Sequence, residues 1–481
     1  MKQIFFTLLI CLPLWSGAQS AVSTSFTLDQ CITYALENTV EVKNARIDAQ
    51  ISEAKVRETT GLGLPQIDGS VSLQHNPKLP RFYQRYDAEQ QSFFDLSQIP
   101  GIQSGDVVAF QNAFQLPSSG SAGLTVNQLL FSSSYLIGLK AAGTYKELAY
   151  KQEKQTQTDV VEKVMKAYYA VIVNDERISL LDNNIARIDS LLMTTVALNK
   201  NGFAEEIEVD RIQVQLNNLK TERLKTLNLQ NLSVSLLKFQ MNYPMEKPLE
   251  IEGDLTELKV DGTVFEEYQQ GWDYNNRIEY QVLSTQRRLL ELDIKNKFAA
   301  SIPSLKGFYN YGYSTQSPDI AGLFKTESAV PSTDAFGPDK WYSYSSFGIT
   351  LDIPLFSGLQ RSNQVQQSRL ELLKTQNSFN SLKQNIDLSI QQNTLTYQNS
   401  LETLKSQEGN IRLAEKIARV TKIKYEQGVG SNIEVTEAES SLREAQVNYY
   451  NALYDALISK VDLDKAFAKL DPAKYVTTTS K

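Results

Sequence analysis

Segments of this chain recur at an almost constant displacement. "GLTVNQLLFSS" (Gly123 to Ser133) returns as "GITLDIPLFSG" (Gly348 to Gly358), and "NGFAEEIEV" (Asn201 to Val209) as "QGVGSNIEV" (Gln427 to Val435). The first pair is 225 residues apart and the second 226. A fainter pair, "LPQIDGSVSL" (Leu64 to Leu73) and "IPSLKGFYNY" (Ile302 to Tyr311), is displaced further, by 238 residues. Such self-similarity means that one supersecondary unit is used twice. Each copy reads as helix, strand, polar loop, strand, very long helix, glycine break, helix. The expected repeats are residues 19–241 and 272–469, with a link at 242–271 and a tail at 470–481.

The helices set the scale. Ser132 to Asn201 contains no proline, and its glycines fall near its start; Ser357 to Gln427 has no proline and only Gly409 as an interior glycine beyond the elbow. A helix of this size is about 100 Å long at 1.5 Å per residue. It outreaches any globular core and needs helical partners. After the second break, Ala438, Leu442, Ala445, Tyr449, Ala452, Ala456, Ser459, Leu463 and Ala466 alternate by four and three, an a/d seam with small residues for close approach. The first repeat starts a similar seam at Ile212, Leu216 and Leu219 and then drifts. A further helix is expected from about Trp272 to Ala300.

The strands are expected at about 64–75, 121–131, 302–314 and 342–355. Ile67, Val71 and Leu73 share a face with Gly69, against Ser70, Ser72 and Gln74. Phe347, Ile349, Leu351 and Ile353 oppose Tyr344, Ser346, Thr350 and Asp352, and Leu305, Tyr309, Tyr311 and Tyr313 make a third stripe. Alternation with one apolar and one polar face suits a barrel wall or a soluble sandwich. Four strands are too few for a membrane barrel, whose smallest types use about 8, so a barrel here needs several protomers. The loops at Asn76 to about Ser121 and Ser317 to Lys340 are expected to be exposed and carry no assigned chemistry.

"MKQIFFTLLICLPLWSGAQS" joins Lys2 to an apolar run from Ile4 to Trp15 and small residues after it. This is a secretory signal pattern over residues 1–18, with cleavage expected after Ala18 or Ser20. Removal leaves Cys31 as the one cysteine, an apolar packing residue with no intramolecular disulfide partner. A net charge of −7 without any Lys/Arg cluster excludes nucleic acid as a partner. The single histidine, His75, is expected at the surface. No histidine/cysteine cluster, G-x-S-x-G or phosphate loop is present, so neither catalysis nor a metal or other cofactor is expected.

Together the duplicated unit, the "PLFSG" elbow (Pro354 to Gly358, degenerate as Gln128 to Ser132) and the glycine breaks resemble the TolC-type outer-membrane efflux protein family over nearly the whole mature chain. The resemblance implies a mixed α+β membrane protein: a homotrimer with a 12-stranded β-barrel, four strands per chain, continued by a long α-helical coiled-coil periplasmic tunnel. It implies an outer-membrane exit duct, opened by docking to a periplasmic adaptor and an inner-membrane pump. The adaptor-contact tips would be Asn201, Gly202 and Phe203 and Gln427, Gly428, Val429 and Gly430, where reversal of the chain favours positive φ. The periplasmic constriction would be Tyr425, matching a gate tyrosine, with Glu434 and Glu437. These glutamates lie i, i+3 on one helix face, and as rings in a trimer they would repel each other and favour cations.

Acidic residues in a first helical turn are also stabilised by the helix dipole alone, and Glu205, Glu206 and Glu439 are expected to need no more. The carboxylates in general are expected on exposed helix faces. The first repeat carries Glu208 and Arg211 where the second has Glu434 and Glu437. The same architecture would serve a type I protein secretion duct. A structural coiled-coil stalk explains the heptads but leaves the paired amphipathic strands unexplained.

Overall fold

A computed structural model describes residues 25–89, 95–112, 114–253, 265, 268, 270, 272–326 and 341–475. The expected signal peptide, most of the link and the last residues of the tail lie outside them. Two compact units result, and each draws on both repeats: residues 51–146 with 287–374, and residues 1–50 with 147–286 and 375–481. Repeats and compact units therefore do not coincide. The strands of one repeat bond to those of the other, so the sheet is shared.

The strands are β1 (Ser25–Phe26), β2 (Gln66–His75), β3 (Phe82–Arg85), β4 (Val107–Phe110), β5 (Ser118–Phe131), β6 (Glu250–Ile251), β7 (Ser304–Ser317) and β8 (Tyr342–Asp352). In the first unit β2, β5, β7 and β8 form one antiparallel sheet in that order. The strand ends differ from the expected ones for a common reason. Pro65, Pro117, Pro303 and Pro354 stand beside β2, β5, β7 and β8, and a residue without an N–H cannot extend a ladder. Hence β2 starts at Gln66, β7 at Ser304 and β8 stops at Asp352, whereas β5 reaches back to Ser118, next to Pro117, because Ser118, Ser119 and Gly120 pair with His75, Gln74 and Leu73. At the far end of β7, Ser317 pairs with Ser118 and prolongs the strand beyond 314.

The register merges the apolar stripes onto one face. Ile67 lies opposite Val126, Val126 opposite Tyr309, and Tyr309 opposite Phe347. The adjacent row, Asp68, Thr125, Asn310 and Ser346, is on the polar face. One polar-face row is built differently: Gly123 pairs with Gly312, and Gly312 with Tyr344, whose ring covers both glycines. The first loop is more ordered than expected, since β3 and β4 pair as an antiparallel hairpin within it. In the second, the turn Ala321–Phe324 buries Leu323, whose carbonyl accepts from Trp341 Nε1 at 3.0 Å.

The helices are α1 (Leu28–Asn38), α2 (Val40–Gly61), α3 (Ser133–Lys200), α4 (Glu206–Met241), α5 (Ile278–Ala299), α6 (Gln360–Glu426) and α7 (Asn432–Ala466). The uninterrupted α3 and α6 have 68 and 67 residues. α6 starts later than Ser357 because Gly358 (φ +59°) and Leu359 (φ +65°) are left-handed and cannot begin a right-handed turn. α5 starts later than Trp272 because Asp273 first caps a short 3₁₀ turn, Tyr274–Asn276.

In the helical unit, α1 opens on a reciprocal capping box between Thr27 and Gln30. It lays Cys31, Ile32, Ala35 and Leu36 onto a core of Val161, Val164, Leu237, Met241, Leu457 and Val461. Cys31 is fully buried, and burial pushes its thiol up to about 12, as expected for an inert packing residue. Every position of the α7 seam is buried or half-buried. A second stripe is buried too: Val435, Glu439, Gln446, Leu453, Leu457, Val461 and Asp464. One seam accounts for one neighbour, but α7 has two. Ala438 and Leu442 meet Ala414 and Ala418 of α6, while Glu439 and Gln446 meet α3.

Candidate functional site: the hairpin tips

Both glycine breaks are the same device. At the end of α6, Val429 N–H donates to Lys424 O and Gly428 N–H to Tyr425 O, both at 3.0 Å. At the end of α3, Phe203 N–H donates to Leu198 O and Gly202 N–H to Asn199 O, both at 2.9 Å. This pair of bonds is a Schellman stop, which needs a left-handed residue in the middle. Gly202 (φ +78°) and Gly428 (φ +72°) provide it. Gly430 is needed for another reason: a Cβ there would sit 3.0 Å from Lys424 Cβ and 3.1 Å from Tyr425 N. The first tip carries Ala204 instead, and its carbonyl accepts from Asn199 Nδ2 at 2.9 Å. Asn201 closes its own turn, with Nδ2 donating to Ala197 O at 2.7 Å. Gln427, the corresponding residue of the second tip, is exposed.

A Schellman stop commonly folds the apolar residue after its glycine back onto the helix. Here that residue stands out into solvent at both tips, Phe203 at 81% and Val429 at 77% exposure. Behind them, α4 and α7 leave an apolar groove of about 760 Å³. Its walls are repeat-related: Ile207 faces Ile433, Arg211 matches Glu437, and Val214 matches Ser440.

Glu434 and Glu437 are both exposed, and neither carboxylate has a partner among the described residues. The Glu434 backbone N–H is capped by Ser431 Oγ at 3.3 Å. Glu437 lines the groove; Glu434 lies outside that lining. The Tyr425 hydroxyl is 3.2 Å from Thr195 Oγ1, and its ring packs on the cluster of Leu181, Ile188, Ile212, Leu216 and Val435. Tyr425 thus ties the α6 end to α3 inside one chain.

Glu439 departs from expectation. It is buried, and its carboxylate takes a bond from Arg187 Nε at 3.3 Å, so it is one half of an ion pair and more than a dipole residue. One layer along, Asn184 Nδ2 donates to Gln446 Oε1 at 3.1 Å, with both residues buried. Beyond that, Arg177 bonds Asn451. α3 and α4 pack through one apolar seam and α6 and α7 through another, and the two hairpins meet through polar pairs together with apolar contacts, Val435 and Tyr425 being set against the α3–α4 cluster. The sequence does carry a trace of this: Arg177 and Asn184 are seven apart, as are Glu439 and Gln446.

Carboxylates are not confined to exposed faces elsewhere either. Asp464 is buried and accepts from Tyr268 Oη at 2.5 Å, with Lys460 Nζ at 3.7 Å. Burial raises its pKa above the ordinary 3.8, against the opposing pull of Lys460 and the Tyr268 bond. A raised carboxylate pKa means that ionisation weakens the folded state, so this group's contribution improves as pH falls through the folded pKa and levels off below the unfolded one. Asp464→Asn, which keeps an acceptor for Tyr268, is expected to raise the melting temperature at pH 8, with the gain shrinking as pH drops toward 4. A gain that is independent of pH would assign the effect to packing.

Among the described residues no group of three His, Cys, Asp or Glu could hold a metal ion, and no helix is long and apolar enough to cross a membrane. His75 is exposed and bonds Ser118 Oγ at 2.9 Å.

A family model described as "Outer membrane efflux protein" matches residues 279–469. The chain is similar to outer membrane protein TolC of Vibrio cholerae serotype O1, at 21% identity over 355 residues that cover 73% of this chain and 77% of that protein. Among solved structures it is similar to the outer membrane protein VceC from Vibrio cholerae, with a TM-score of 0.65 and 13% identity, covering 92% of this chain and 96% of that one. It is likewise similar to the open state of the Neisseria gonorrhoeae MtrE outer membrane channel, with a TM-score of 0.68 and 16% identity, covering 92% and 88%.

Proposed function

The chain belongs to the outer membrane efflux protein family and resides in the outer membrane, and from that premise we propose that it is the passive exit duct of a tripartite efflux assembly. Three copies contribute four strands each to a closed 12-stranded barrel. The long helices continue it as a periplasmic tunnel, whose tips dock a periplasmic adaptor coupled to an inner-membrane pump.

The observation that carries this reading is the open sheet. Among the described residues, strands β2 and β8 have partners on one side only, and an exposed strand edge of ten or so residues invites pairing with another chain. In lipid such an edge is excluded, and closure with further copies is the remedy. Exposed apolar residues along α6, such as Leu370, Leu388, Leu395, Leu413 and Val420, supply a matching helix face for the neighbouring copy. Residues 19–241 and 272–469 then act as two quasi-equivalent halves of one wall. Asn201, Gly202 and Phe203, with Gln427, Gly428, Val429 and Gly430, form the adaptor contact. Tyr425, Glu434 and Glu437 line the constriction, the two glutamates as rings of like charge that favour cations.

The constriction is tested in planar bilayers. Glu434→Ala combined with Glu437→Ala is expected to raise single-channel conductance and weaken block by divalent cations severalfold. Conductance and block both equal to wild type would remove these residues from the constriction.

A further inference from the structure

Between Asp352 at the end of β8 and Gln360 at the start of α6, the chain turns through Gly358 and Leu359, both left-handed. The turn presents Leu355 and Phe356 to solvent at 91% and 83% exposure. Ile353 and Pro354, just before them, line a cavity of about 420 Å³ together with Ser132, Ser134, Ile302, Asp352 and Arg361. Arg361 is half-buried, and its guanidinium has no hydrogen-bond or ion-pair partner among the described residues. Asp352 shares the cavity and is paired at 3.1 Å with Lys306. The first repeat has Asn127 and Leu136 at the corresponding positions, so this pair of opposite charges exists at the second elbow alone.

Two demands meet here. A half-buried guanidinium that the protein leaves without a partner is open to an anion, and its planar fork suits phosphate oxygens. Leu355 and Phe356 follow the strand that exposes Phe347, Ile349 and Leu351, beyond its last ladder pair at Asp352, and exposed side chains of this kind favour an apolar neighbour. An amphiphile with a phosphate head satisfies both. Lys306 engages the Asp352 carboxylate through Oδ2, and its Oδ1 is left to accept from an ammonium group.

We propose that the second elbow binds a phospholipid with a zwitterionic ethanolamine headgroup. Arg361 holds the phosphate, Asp352 faces the ammonium, and Leu355 and Phe356 lie along the acyl chains. This inference rests on the outer-membrane location, so assembly is scored first: each variant must be recovered from the outer-membrane fraction as the oligomer seen for wild type. Failure of the wild type at that step would count against the duct, separately from the lipid.

The recovered oligomers are then delipidated in mild detergent and titrated with phosphatidylethanolamine, phosphatidylglycerol or inorganic phosphate under native mass spectrometry. Wild type is expected to retain phosphatidylethanolamine in preference to phosphatidylglycerol. Arg361→Gln should lower that retention about tenfold, the loss of one charge-assisted contact. Arg361→Lys should keep part of it. Asp352→Asn should shift the preference toward phosphatidylglycerol, while Arg369→Gln, further along α6, should change nothing. Equal retention by wild type and Arg361→Gln, a wild-type preference for phosphatidylglycerol, or full displacement of the lipid by millimolar phosphate would each overturn the proposal.

Discussion

Valine at position 312 is expected to abolish the assembled protein. A Cβ on Gly312 would lie 2.6 Å from the Ala122 carbonyl oxygen and 2.8 Å from Gly123 Cα. Both are backbone atoms of β5, and neither can rotate away. The β5–β7 ladder, the one join between the two repeats within the sheet, would have to part. A cost of about 3 kcal/mol follows from overpacking of this kind, before the two extra methyl groups meet the Tyr344 hydroxyl. Gly69→Ala is the matched control, because the nearest atom to its Cβ would be Leu124 Cδ2 at 3.4 Å, an ordinary contact. The readout is the heat-sensitive oligomer in the outer-membrane fraction on a semi-native gel. Gly69→Ala should resemble wild type and Gly312→Val should leave no such band; normal assembly of Gly312→Val would show that the strands do not approach this closely.

The second large effect is expected at the tips. Phe203→Asp together with Val429→Asp leaves both Schellman stops intact, since the backbone bonds and the left-handed glycines are untouched. Exposed apolar side chains at matching positions are poor candidates for stabilising the free protein and good anchors for a partner. Placing a carboxylate at each anchor should reduce the adaptor recovered after crosslinking in the native host by at least about tenfold. Oligomer yield should be unchanged. Undiminished adaptor recovery would move the docking surface off the tips. Single substitutions would then rank the tips, which differ in charge behind the anchor, with Arg211 on one and Glu437 on the other.

How much of this was legible in the sequence depends on which neighbour decides each residue. The alternation in β2, β7 and β8 and the long proline-free tracts are local patterns, and they point to the elements directly. The strand ends were less plain, although Pro65, Pro117, Pro303 and Pro354 mark them, because apolar side chains continue past the last ladder bond. The β3–β4 hairpin is not legible because its strands have only 4 residues each, too few to establish an alternation. The second buried stripe of α7 was missed for a deeper reason. Its members include Glu439, Gln446 and Asp464, and a reading by apolar period discards such residues. Their burial is decided by Arg187, Asn184 and Tyr268, which are 252, 262 and 196 positions away in the chain. At the tips, the glycines announced the turn, but the outward stance of Phe203 and Val429 needed the backbone geometry.

The shared sheet has a consequence for symmetry. Each repeat supplies one adjacent strand pair, β2–β5 or β7–β8, so the proposed barrel of three chains would be a ring of six near-equal hairpins. Six identical half-length chains could build the same ring, but each would then be bound to keep the same tip and the same elbow. Covalent fusion in pairs lowers the order of the rotation axis from six to three and frees alternate positions to diverge. The outcomes are visible in this chain: arginine against glutamate behind the tips, and leucine against arginine at the elbows. A wall with alternating faces can offer two kinds of contact to whatever encircles it, which a strictly sixfold wall cannot.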